Sequence, residues 1–157
     1  MADTTTGAAT ARREARPGHQ PTIILGTIGH DCHVAGISIL RYAFERAGFR
    51  VVFLGALVDQ QEFINAAKET AADAILVSSL YGMGRIDCEG FRDRCREAGL
   101  DDVIVYIGGI LVTDPEEWAV TERIFKELGF DRVYPPGTKP ETAIADLRCD
   151  LGLDGEG

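Results

Sequence analysis

Hydrophobic and polar positions alternate along this chain in two rhythms. Short apolar runs rich in Val and Ile stand at 22–28 (TIILGTI), 50–55 (RVVFLG), 73–79 (DAILVSS), 102–108 (DVIVYIG) and 131–135 (DRVYP). Their length and β-branched content predict five strands. Each is followed by a stretch with helical spacing, at 35–48, 59–71, 87–98, 115–128 and 140–150. The ends carry matching signals: Asp59, Asp87 and Asp114 as N-caps, Pro115 and Pro140 near first turns, and Gly48, Gly99 and Gly129 just past helix ends.

Strands that alternate with helices, and that are apolar on both faces, predict a parallel sheet covered by helices on either side. With right-handed crossovers, five βα units favour an α/β, Rossmann-like (flavodoxin-like) doubly wound sheet of order 2-1-3-4-5. Ligands of such sheets bind beyond the carboxyl ends of the strands, where strands one and three part company. That edge gathers GTIGHDCHVAG after strand one, SSLYGMG after strand three and GGILVTD after strand four. The opposite edge, with AGF, AAD, AGLDD and LGFD, is ordinary turn chemistry.

A length of 157 residues with 45% hydrophobic content suits one domain with a full core. Residues 1–21 are polar and rich in small side chains, and are expected to be a disordered lead-in. The folded domain is expected over 22–151, with 152–157 frayed. A net charge of −9 argues against nucleic acid or an anionic membrane as the main partner. Cys32, Cys88, Cys95 and Cys149 form no CxxC pair, and no apolar run is long enough to span a bilayer, so a cytoplasmic protein with reduced thiols is expected.

The chemistry concentrates in GHDCHVAG, residues 29–36. A receiver-type acidic pocket lacks its acceptor, because strand three ends in Ser78 and Ser79 rather than an aspartate. A phosphate loop would place Asp31 against the anion. Structural zinc needs four ligands from separated positions, and no second Cys/His pair follows downstream. A Cys32–His33 nucleophile pair would require neighbours in a turn to face each other. As a plain polar turn, Asp31 would cap and His33 would bond backbone. Asp31 and His33, two apart on an extended loop, project to one side, so the carboxylate can orient the imidazole. An oriented histidine of this kind suits a metal that arrives already held by a macrocycle and needs one protein ligand.

Asp31 to Gly36, DCHVAG, resembles the D-x-H-x-x-G signature of cobalamin-binding domains of the base-off, His-on type. With ILGTIGHDCHVAG, ADAILVSSLYGMG, GGI and DRVYPPGT, the chain is similar from about Thr22 to Leu151 to the small cobalamin-binding subunits of glutamate (methylaspartate) mutases. That resemblance implies His33 as the axial cobalt ligand and Asp31 as its hydrogen-bond partner. It further implies that Gly36, Ser38, Ser78, Ser79, Gly108 and Gly109 make room for the displaced nucleotide tail, with Leu80 and Tyr81 against the corrin or the tail. His30, Cys32, Val34 and Ile110 complete the implied cofactor contacts. His30 stands where relatives carry a small polar residue, and Ile110 where asparagine is frequent.

The function implied is that of the cofactor-binding subunit of an adenosylcobalamin-dependent isomerase that interconverts L-glutamate and 3-methylaspartate by a radical route. No catalytic residue is expected in this chain, and a (β/α)₈ barrel of about 250 residues cannot fit within it. A separate barrel-type catalytic subunit carrying the substrate site is therefore the implied partner. A corrinoid carrier for methyl transfer uses the same loop, but usually has a helical domain first, for which some 20 polar residues are too few. A cobalamin-dependent sensor would ordinarily be fused to an output module.

Overall fold

A computed structural model describes residues 18–29, 35–79, 83–109, 111 and 118–153. In chain order the elements are β1 (Thr22–Ile28), α1 (Ala35–Arg46), β2 (Arg50–Val58), α2 (Gln60–Thr70), β3 (Ala74–Ser78), α3 (Gly84–Asp87), α4 (Phe91–Glu97), β4 (Ile104–Gly108), α5 (Trp118–Glu127), β5 (Arg132–Tyr134) and α6 (Pro140–Asp150). The five strands form one sheet of order β2-β1-β3-β4-β5 with every pair parallel. This is the topology expected from the alternation of strand and helix.

Period-two packing explains why the strand sequences are apolar throughout. Ile24, Ile75 and Val105 are in register across β1, β3 and β4 and point to one face, where they meet Phe63 and Ile64 of α2, Phe91 of α4 and Phe125 of α5. Their neighbours Ile23, Leu25, Leu76 and Tyr106 point to the other face and meet Ile37 and Phe44 of α1 and Ile144 and Leu147 of α6. Phe44 and Phe63 are fully buried. Each such ring contributes about 1.5–3 kcal/mol of transfer free energy. The fold is thus held by two cores beneath the sheet faces, leaving the loops at the strand ends free for other work.

Several expected boundaries move. β2 runs to Val58, three residues beyond the expected end, because the β1–β2 ladder shifts register on either side of Gly26. The shift carries the chain through Gly55 (φ 79°) and Leu57 (φ 60°), the latter exposed. The helix expected over 87–98 is two pieces. Asp87 ends α3 rather than capping a helix, and Gly90, with φ 76°, turns the chain into α4. Asp59 does cap α2, its carboxylate accepting from the Glu62 amide at 2.8 Å. Pro140 opens α6, and Gly48, Gly99 and Gly129 follow α1, α4 and α5 with positive φ. Asp114 and Pro115 lie outside the described residues.

Candidate functional site

At the carboxyl edge of the sheet a cleft of about 420 Å³ opens between the ends of β1, β3, β4 and β5 and the N-terminal turns of α1 and α6. It has three sides. Leu25, Leu76 and Tyr106 form its floor, Gly36, Ile39 and Leu40 of α1 one wall, and Tyr134 with the segment 135–140 the other. Ser78, Gly108 and Gly109 lie along its rim. The lining is mostly apolar, with Ser78, Thr138 and Lys139 among its polar residues.

Two missing side chains keep the cleft open. Among the described residues a Cβ on Gly36 would meet nothing within 4 Å, so no packing demand among them requires glycine there. Gly108 pairs with Tyr134 across the β4–β5 ladder, and a Cβ on it would stand 3.3 Å from the Tyr134 Cβ. Gly108 therefore lets Tyr134 sit close to β4 while leaving the space beside its ring unfilled.

A polar network backs the Tyr134 wall. The Tyr134 hydroxyl donates to Asp146 at 2.8 Å, and the Tyr106 hydroxyl donates to Asp150. Arg132 stands between the two carboxylates, donating to Asp150 through Nε at 2.7 Å and Nη2 at 2.9 Å and lying 3.6 Å from Asp146. The Tyr106 and Tyr134 rings meet edge to face with centroids 5.6 Å apart. Burial first, then the carboxylate neighbours, push both phenols well above their ordinary range. The hydrogen bonds to Asp150 raise Arg132 further still, against the effect of its partial burial. Both tyrosines therefore stay neutral, and their hydroxyls are engaged with α6.

Of the residues expected at the site, Gly36, Ser78, Gly108 and Gly109 come together around this one cleft. Ser38 is half-buried on α1 and is not part of the lining. Ser79 is fully buried on the far side of its strand, where its Oγ has no hydrogen-bond partner among the described residues and would stand 3.0 Å from a Cβ on Gly84. Its amide donates to Gly108 O at 3.1 Å, so it joins β3 to β4. His30, Asp31, Cys32, His33, Val34, Leu80, Tyr81 and Ile110 lie outside the described residues. Sequence reasoning did not single out Tyr106, Tyr134 or the 135–140 segment as site residues; the signal was the run YPPGT beyond the last strand.

The cleft fits an extended ligand with a flat apolar portion and a polar linker. Apolar walls and an aromatic side suit a heterocycle, while Ser78 and Lys139 can meet sugar or phosphate oxygens; the Thr138 hydroxyl donates to Pro135 O at 2.7 Å. Its position beside the switch between β1 and β3 is where doubly wound sheets hold cofactors. The segment joining Ile28 to Ala35, which carries Asp31 and His33 of the D-x-H-x-x-G signature, leaves β1 at this same edge. Among the described residues no three His, Cys, Asp or Glu side chains gather as a metal site, and no helix is long and apolar enough to cross a membrane.

Residues 21–145 match the family model described as the B12 binding domain. The glutamate mutase sigma subunit of Clostridium tetani is 56% identical over 132 residues, covering 84% of this chain and 96% of that protein. The chain belongs to the B12-binding domain family and, within it, to the glutamate mutase sigma subunits. Among solved structures, a cobalamin-binding protein from Desulfitobacterium hafniense has a TM-score of 0.69 at 24% identity, covering 85% of this chain and 60% of that one. A response regulator from Thermotoga maritima reaches 0.60 at 13% identity, covering 85% and 99%. Both likenesses are of fold alone.

Proposed function

We propose that this chain is the cobalamin-binding half of an adenosylcobalamin-dependent glutamate mutase, acting on L-glutamate and 3-methylaspartate together with a separate barrel-type subunit that carries the substrate site. The observation that carries the proposal is the apolar cleft at the β1/β3 switch point, bordered by Gly36, Ser78, Gly108 and Gly109 and continuous in sequence with the D-x-H-x-x-G segment. Sequence identity above one half with sigma subunits, over nearly their whole length, supports the choice of reaction.

In this reading His33 would hold the cobalt through one imidazole nitrogen, and Asp31 would orient that ring by accepting a hydrogen bond from the other. The nucleotide tail lies in the cleft, with Gly36 and Gly108 leaving room and Ser78 on the rim. Leu80 and Tyr81 contact the corrin or the tail. Bound adenosylcobalamin supplies a cobalt–carbon bond that breaks homolytically. The protein's own share is to hold one face of the corrin on the sheet edge, to keep water from the tail with an apolar lining, and to leave the other face for the partner subunit. The domain is taken to run over 22–151, in the cytoplasm, with no nucleic acid or membrane as partner.

Reconstitution tests this. The chain is mixed with adenosylcobalamin and a barrel-type mutase subunit, and 3-methylaspartate formation from L-glutamate is followed. Isomerisation that needs both proteins is expected. Cobalamin binding with no isomerisation in any combination would contradict the mutase reading and favour a methyl carrier.

A further inference from the structure

Resting on the placement of the nucleotide tail in the cleft, we propose that Asp146 is a positioning residue for cofactor binding, acting by holding the Tyr134 ring as the fixed wall of the tail slot. Tyr134 belongs to a strand of three residues at the sheet edge, which has the fewest ladder bonds to keep it in place. Gly108, its partner across the ladder, offers the ring no side chain, and from β4 the Tyr106 ring meets it edge to face with centroids 5.6 Å apart, which leaves its hydroxyl end to be held from elsewhere. The Asp146 hydrogen bond ties it to α6, and Pro140 and Ala143 of that same helix line the slot. Wall and lip are thereby joined as one unit.

The sequence is built for this arrangement. Asp146 and Asp150 are four apart and share a face of α6, while Arg132 and Tyr134 are two apart and share a face of β5. Arg132 faces both carboxylates and Tyr106 faces Asp150. Asp146 is therefore held by a cation on one side as it accepts the tyrosine hydroxyl on the other. Losing the tether leaves the ring its edge contact with Tyr106 but no anchor at its hydroxyl, and a preorganised wall becomes one that must be ordered on binding.

The test compares adenosylcobalamin with adenosylcobinamide, which keeps the corrin and lacks the nucleotide tail. Affinities are measured by spectral titration for the wild type, Tyr134→Phe, Asp146→Ala and the double variant, with thermal unfolding of each apoprotein. Wild type should prefer adenosylcobalamin. Each single variant should bind it about 3- to 10-fold more weakly, the span of one lost hydrogen bond. Adenosylcobinamide affinity should not change, and the double variant should be no weaker than the worse single one. Unchanged adenosylcobalamin affinity, additive losses, or parallel losses for both ligands would overturn the positioning role. Equal affinity of the wild type for both ligands would instead remove the tail slot itself, and binding of neither would remove the cofactor reading.

Discussion

Gly108 of β4 lies opposite Tyr134 of β5, and a single methyl group on Gly108 would stand 3.3 Å from the Tyr134 Cβ. The contact is tight enough that the short edge strand must move by a few tenths of an ångström, and the methyl enters space that borders the cleft. Gly108→Ala should weaken adenosylcobalamin binding by about tenfold, on the order of 1.4 kcal/mol. Gly108→Val should abolish it, with the apoprotein still cooperative on heating. Titration and calorimetry of the two variants check this, and undiminished binding by Gly108→Val would show that no part of the ligand passes there.

Gly36 sits in the first turn of α1, where alanine is the better helix former and where an added Cβ meets nothing among the described residues. Folding alone would favour alanine by roughly 0.5–1 kcal/mol. Gly36→Ala should therefore raise the urea midpoint of the apoprotein slightly while lowering cobalamin affinity severalfold. Opposite movement of stability and binding is the signature of a glycine retained for a ligand. A fall in stability would assign it a role in the fold.

Burial pushes the Cys95 thiol up to about 11, with Arg92 opposing part of the rise. Burial and the neighbouring Asp87 push Cys88 higher still. A group whose proton is held more tightly in the folded state contributes stability that is complete below its unfolded value, near pH 9, and lost as the pH climbs through the folded one. The tyrosines held by Asp150 and Asp146 act in the same direction at still higher pH. Urea midpoints should be flat from pH 7 to 8.5 and fall from about pH 9 to 11. In the native protein, alkylation mapped by mass spectrometry should mark exposed Cys149 before Cys88 or Cys95.

The sheet order and the edge at which the cleft opens were legible in the sequence because period, strand length and loop composition all pointed the same way. Local geometry was less so. The register shifts at Gly26 and the extension of β2 past Leu57 depend on how two strands meet, which neither strand encodes alone. Asp87 read as the cap, and Gly90 as the inside, of one helix by spacing, yet Asp87 ends α3 and a left-handed residue at 90 starts a second helix. At the site, the glycines were named through the resemblance to cobalamin-binding subunits. Tyr134 was not, since its place in the cleft follows from its pairing with Gly108 and its bond to Asp146, contacts made only in the folded chain.

His33 and His30 both stand in the loop after β1, and the proposed function gives the cobalt of a bound cobalamin to His33. Electron paramagnetic resonance of the cob(II)alamin form, bound to protein labelled with ¹⁵N histidine, reads that ligand directly. Wild type and His30→Ala should both show coupling to one imidazole nitrogen with the cofactor's own base displaced, and His33→Ala should lose it. Coupling that survives His33→Ala and disappears in His30→Ala would move the ligand to His30, and a cofactor whose own base stays on cobalt would contradict the account.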